Sequence, residues 1–105
     1  MTMQIQINYG DVNNSPAISD HVTKQVNRAL KHTAKRITRV EVHLRDDKQK
    51  RGGPSDKRCT MEARIAGQQP IATSDSHNDL YQVITQAADK LSRAVQRKLE
   101  RSESH

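Results

Sequence analysis

Between Met3 and Tyr9, apolar Met3, Ile5, Ile7 and Tyr9 alternate with Gln4, Gln6 and Asn8. Period two marks a strand with one buried face. Gly10 to Asn14 is turn chemistry, and Ser15-Pro16 is a helix start. The serine oxygen can accept from a free backbone N–H, and proline suits the first helical position. Ile18, Val22, Val26, Ala29 and Leu30 then recur at helical spacing, which predicts a first helix running to about Lys35. Alternation at Val40, Val42 and Leu44 predicts a second strand from about Ile37 to Arg45, and the segment Asp46 to Asp56 (DDKQKRGGPSD) reads as a loop.

Cys59, Met61, Ala63 and Ile65 mark a third strand. A short fourth strand is expected around Pro70 to Ser74, with Pro70 at its start or edge because it cannot donate to a ladder. Leu80, Ile84, Ala87, Leu91, Ala94 and Val95 hold one face of a long last helix. Asp75 or Ser76 is its expected cap, Asp79 its expected first-turn acid, and Ser102 to His105 a frayed tail. The order is β-α-β-β-β-α. The expected architecture is an α+β domain over residues 1–101, a four-stranded sheet with two helices packed on one face, similar in plan to double-stranded RNA-binding domains. The helical link permits a parallel first pair, and the short later links favour antiparallel hairpins.

Composition narrows the function. With 105 residues, 32% hydrophobic and 29% charged, one domain with a thin core is expected. The single cysteine excludes an internal disulfide. No apolar run approaches the ~20 residues of a membrane span, and no basic start precedes an apolar signal segment. A soluble, cytoplasmic chain is expected. It has no Trp, no Phe and only Tyr9 and Tyr81, too few aromatics for a platform that stacks single-stranded RNA. The net charge of +6 must therefore meet any nucleic acid through phosphates and shape.

Helical spacing locates that charge. With Ile18 as zero and about 100° per residue, the apolar positions of the first helix fall within about 0–120°, and Lys24, Arg28, Lys31 and Lys35 within about 220–280°. With Leu80 as zero, Lys90, Arg93, Arg97 and Arg101 fall at about 220–300° on the last helix. A basic stripe opposite a core face is ordinary in an amphipathic helix, but a solvating stripe normally alternates signs. No acid lies within the arc of either row; Asp89 lies at the edge of the second. The loop adds Lys48, Lys50, Arg51, Lys57 and Arg58. Structured RNA is the partner these rows fit best.

Other chemistry is thin. His32, His43 and His105 lack a partner at metal-ligand spacing, so neither a metal nor another cofactor is expected. Cys59 alternates with core residues and reads as packing, not as a nucleophile. Asp46 and Asp47 are adjacent and point to opposite sides, unlike the converging acids of a two-metal nuclease. Gly52-Gly53 lacks the rest of a phosphate loop. Tyr81, at about 100° on the last helix, is expected to be partly buried rather than to stack on a base. With no catalytic residue to name, an RNA-processing enzyme ranks behind a general structured-RNA module.

A reading that ranks above both rests on a resemblance. ATSDSHNDLYQVITQAADKLSRAVQRKL, from Ala72 to Leu99, resembles the ribosome hibernation-promoting factors, also called ribosome-associated inhibitors or ribosomal subunit interface proteins. The matching positions are Ala72, Asp79-Leu80-Tyr81, Val83-Ile84 and Asp89-Lys90-Leu91 with Arg93. A weaker echo covers the Ile-rich first strand, Ser15-Pro16-Ala17-Ile18 and the basic end of the first helix. The resemblance implies a non-enzymatic factor that binds the small ribosomal subunit between head and body, where mRNA and tRNA would lie, and silences translation when growth slows. It implies ribosomal RNA contacts for Lys90, Arg93 and Arg97 and for Lys24, Arg28 and Lys31. The length resembles that of the short form, which implies a separate modulation factor for ribosome pairing; the thin core and polar surface point to a monomer when free, although an exposed sheet edge could pair.

Overall fold

The structure, a computed structural model, describes residues 3–47 and 56–103. Met1, Thr2, the loop residues Lys48, Lys50, Arg51 and Gly52-Gly53, and His105 lie outside them. The elements are β1 (Gln4–Asn8), α1 (Pro16–Ala29), a short 3-10 turn (Ala34–Arg36), β2 (Ile37–Asp47), β3 (Asp56–Ile65), β4 (Ile71–His77) and α2 (Leu80–Glu103). The sheet order is β1-β2-β3-β4. β1 lies parallel to β2, with Ile5 opposite Val40 and Ile7 opposite Val42, and the remaining pairs are antiparallel. The expected α+β architecture is the observed one.

α1 begins as expected. Ser15 Oγ accepts from the Ile18 N–H at 3.4 Å, and Pro16 occupies the first helical position. It ends earlier than expected, at Ala29. Beyond Leu30 the backbone tightens into i→i+3 bonds, Thr33 N–H to Leu30 C=O at 3.1 Å and Arg36 N–H to Thr33 C=O at 2.9 Å. A helix continued to Lys35 would leave a single residue in which to turn back before β2 starts at Ile37 beside β1. The tighter turns make that reversal and seat Leu30 and Ile37 in the core.

Two other boundaries move for one reason. β4 runs on to His77 because β3 starts at Asp56 and offers partners that far: Cys59 faces Asp75, Arg58 faces Ser76 and Lys57 faces His77. Asp75 and Ser76 are therefore strand residues, and Asp79 is the cap of α2, its Oδ1 accepting from Tyr81 N–H at 3.0 Å. At the other end α2 continues through Ser102, where fraying was expected, and Ser102 Oγ meets Gln68 Nε2 at 2.6 Å.

Both helices cover one face of the sheet. Val22, Val26 and Leu30 of α1 and Val83, Ile84, Ala87, Leu91 and Val95 of α2 join Val40, Val42, Leu44, Cys59, Met61 and Ala63 in one buried cluster. Emptying such a position, as in Leu91→Ala, removes about 2–5 kcal/mol. The other sheet face is uncovered. It carries Arg39, Glu41, His43, Arg45, Arg58, Glu62 and Arg64, and no polar or charged residue among those described is fully buried.

Candidate nucleic-acid interface

All eight cations of the two expected rows are exposed, yet the fold treats them differently. On α2, Lys90, Arg93 and Arg97 line an open groove of about 390 Å³ together with Ala94 and with Thr73 and Ser74 of β4. Lys90 bridges to the strand: its Nζ donates to the Ser74 carbonyl at 3.1 Å and lies 3.7 Å from Asp75 Oδ1. Arg93 and Arg97 have no acidic partner among the described residues. The Thr73 hydroxyl in the groove wall is buried and makes no hydrogen bond. Arg101 continues the row one turn on and is engaged with a neighbour.

The α1 row divides. Arg28 is tied across the helix–helix furrow, its Nη2 donating to Asp89 Oδ1 at 2.9 Å and its Nε to Gln25 at 2.9 Å. Lys24, on the same helix, has no partner among the described residues. Lys31 and Lys35 are not on α1, contrary to the expected stripe; Lys31 lies in the turn after the helix and Lys35 in the 3-10 turn. The stripe computed for an unbroken helix loses its second half where the α-helix unwinds.

Nor do the rows merge into one wall. The α2 residues that meet α1 are Tyr81, Thr85 and Asp89, whereas Lys90, Arg93 and Arg97 meet β4. The two rows stand on opposite flanks of α2. Acids that sequence spacing left unassigned reach both from other elements, Asp89 to Arg28 and Asp75 to Lys90. At these half-exposed sites each pair contributes about 0–1 kcal/mol. Their larger effect is to choose which cations stay free.

The cations of the sheet are more fully matched. Glu41 sits between Arg39 at 2.9 Å, Arg64 at 3.2 Å and His43 at 3.7 Å. Burial pushes its carboxyl up, but the two guanidiniums, the Arg64 hydrogen bond and His43 outweigh burial and hold it below its ordinary value. Asp47 faces Arg45 and Arg58, while Asp46 turns the other way to Lys57 at 3.2 Å. Lys57 and Arg58, counted with the cations of the loop, are thus paired residues of β3.

Cys59 is buried, and burial together with the Asp75 charge pushes its thiol up to about 12, as suits a packing residue. Among the described residues no three His, Cys, Asp or Glu could hold a metal. Among the described residues no helix is long and apolar enough to cross a membrane. Tyr81 is partly buried: at 43% exposure it is the one large apolar residue among those described that stays exposed, and its ring meets His21 edge to face at a centroid distance of 4.9 Å.

Comparison with known proteins places this arrangement. Residues 5–103 match the family described as sigma 54 modulation protein / S30EA ribosomal protein. Among solved structures, the chain is similar to a ribosomal subunit interface protein from Coxiella burnetii, with a TM-score of 0.80, 18% identity, and 93% of this chain and 99% of that one covered. It is also similar to the N-terminal domain of Protein Y from Thermus thermophilus, with a TM-score of 0.72, 22% identity, and 92% and 98% covered. At these identities the two structures establish the fold. No curated protein matches the sequence. The family match covers nearly the whole described domain, and the chain belongs to the S30EA family of ribosome-associated, non-enzymatic proteins.

Proposed function

We propose that the protein is a translation inhibitor that binds the small ribosomal subunit in the mRNA and tRNA channel, and that its interface is the basic flank of α2 resting on ribosomal RNA phosphates. The observation that carries this reading is the β4–α2 groove, where Arg93 and Arg97 are unpaired beside Lys90 in a member of a ribosome-associated family. Lys24 adds a contact from α1, and Arg101 extends the row. Arg28, Lys31 and Lys35 contribute at the margin, the first because Asp89 already holds it and the others because they stand off the helix. Such a surface follows phosphates without reading bases. The protein then acts in the cytoplasm as a monomer, with any pairing of ribosomes left to a separate modulation factor.

Co-sedimentation with intact ribosomes and separated subunits at low and moderate salt tests the proposal. Co-migration with the small subunit that survives a generic RNA duplex as competitor, and its loss in the Lys90→Glu, Arg93→Glu, Arg97→Glu variant, is the expected result. Unchanged binding by that variant overturns the surface. Binding that the duplex removes equally well marks a general structured-RNA module instead.

A further inference from the structure

Tyr81 is fixed in position yet 43% exposed. Its N–H donates to Asp79 Oδ1 at 3.0 Å. Its carbonyl accepts from His21 Nε2–H at 2.9 Å and from the Thr85 hydroxyl at 3.2 Å. With the backbone held at both ends, only two side-chain torsions remain, and His21 buttresses the ring at an interplanar angle of 69°. An edge-to-face contact of this kind engages at most one face of the phenol. The hydroxyl makes no hydrogen bond among the described residues. A large, pre-positioned amphipathic ring loses little entropy on contact.

Positive charge lies further along α1. Lys24 follows His21 by one turn, about 4.5 Å along the axis, and Arg28, already held by Asp89, follows by two, about 10 Å. The furrow between the helices therefore presents an aromatic face at one end and positive charge beyond it. That is the combination that holds an unpaired nucleotide, with the base on the ring and its phosphate on the cation. Tyr9, the only other aromatic apart from histidine, is half-buried against the core, so there is room for one base and not for a run.

We propose that Tyr81, braced by His21, stacks on a single unpaired nucleobase of the bound RNA, a second contact on the flank of α2 opposite the phosphate groove. The proposal rests on the RNA-binding reading above. It adds a base contact, insensitive to salt, to an interface otherwise made of phosphate contacts.

The chain has no Trp, so in a Tyr9→Phe background the intrinsic emission reports Tyr81 alone. A single-stranded oligoadenylate quenches that emission as it binds, and a blunt RNA duplex with the same number of phosphates does not. In co-sedimentation with small subunits, Tyr81→Leu weakens binding roughly 5- to 150-fold while the slope of log K against log salt stays the same. Tyr81→Phe binds like the parent. Absence of quenching by the oligoadenylate, or wild-type affinity in Tyr81→Leu, overturns the stacking contact. Weaker subunit binding without quenching also overturns it and assigns the ring to a protein surface. In each of these cases Arg93→Gln and Arg97→Gln still weaken binding and reduce the salt slope. If they do neither, the RNA-binding reading has failed as well.

Discussion

Arg28 of α1 and Asp89 of α2 close a 2.9 Å ion pair across the furrow between the helices. The two residues are 61 positions apart, and the pair removes from the free charge a cation that helical spacing alone would count. Asp89→Asn releases it. In that variant, binding to structured RNA or small subunits should tighten, and the salt slope should steepen by up to about 0.9 as one more phosphate is neutralised. Thermal stability should change by less than about 1 kcal/mol. An unchanged slope would show that Arg28 does not reach the RNA.

Gly10 has φ +59°, and a Cβ built there would lie 2.5 Å from the Leu44 carbonyl oxygen, a backbone atom of β2 that cannot step aside. Gly10→Ala should cost about 1–3 kcal/mol from backbone strain, with the contact adding to it. Urea unfolding measures the loss, and a midpoint within error of the parent would refute the geometry. Gly67, also at positive φ, has open space around its missing side chain, so Gly67→Ala carries the strain without the clash.

Glu41 titrates below its ordinary value when folded. A carboxylate with a depressed folded pKa contributes stability that is fully present above its unfolded pKa, near 4.3, and lost as pH falls through the folded value. The protein should therefore lose stability on acidification in that window, and Glu41→Gln should flatten this part of the profile. The measurement is the unfolding midpoint from pH 6 down to about pH 3 in both proteins. An equally steep decline in the variant would mean that the Arg39 and Arg64 pairs do not hold in solution.

Cys59 should be inert in the native state. Its thiol, pushed up to about 12, holds almost no thiolate at pH 8 and no reagent can reach it. A thiol-specific reagent should modify it only in denaturant. Modification of the native protein at the denatured rate would contradict the burial.

The sequence was clear wherever one local rule acted unopposed. Ser15-Pro16 has no rival as a helix start, and the alternation from Val40 to Leu44 and from Cys59 to Ile65 admits one face only. It was less clear where rules competed. Asp75, Ser76 and Asp79 are all capping residue types, and what excludes the first two is pairing with Cys59 and Arg58, which no local rule contains. The end of α1 carries no Gly or Pro; it is set by the need to bring Ile37 back alongside β1. The α2 row was found by angle alone, because a long unbroken helix obeys that arithmetic. The partners Asp75 and Asp89 were missed as partners because they reach their cations through space from β4 and from the opposite helix.

The uncovered sheet face, where Glu41, Asp47 and Glu62 answer the arginines around them, has a consequence for how the molecule travels. Among the described residues its charges are largely matched locally, while Arg93 and Arg97 on the helical side are not. The described charges thus form an electrical lever weighted toward the helices. In the field of a large polyanion it experiences a torque before it experiences a contact, and it arrives with α2 leading. Fewer collisions are spent in wrong orientations, so capture is fastest in dilute salt and slows as counterions blunt the torque.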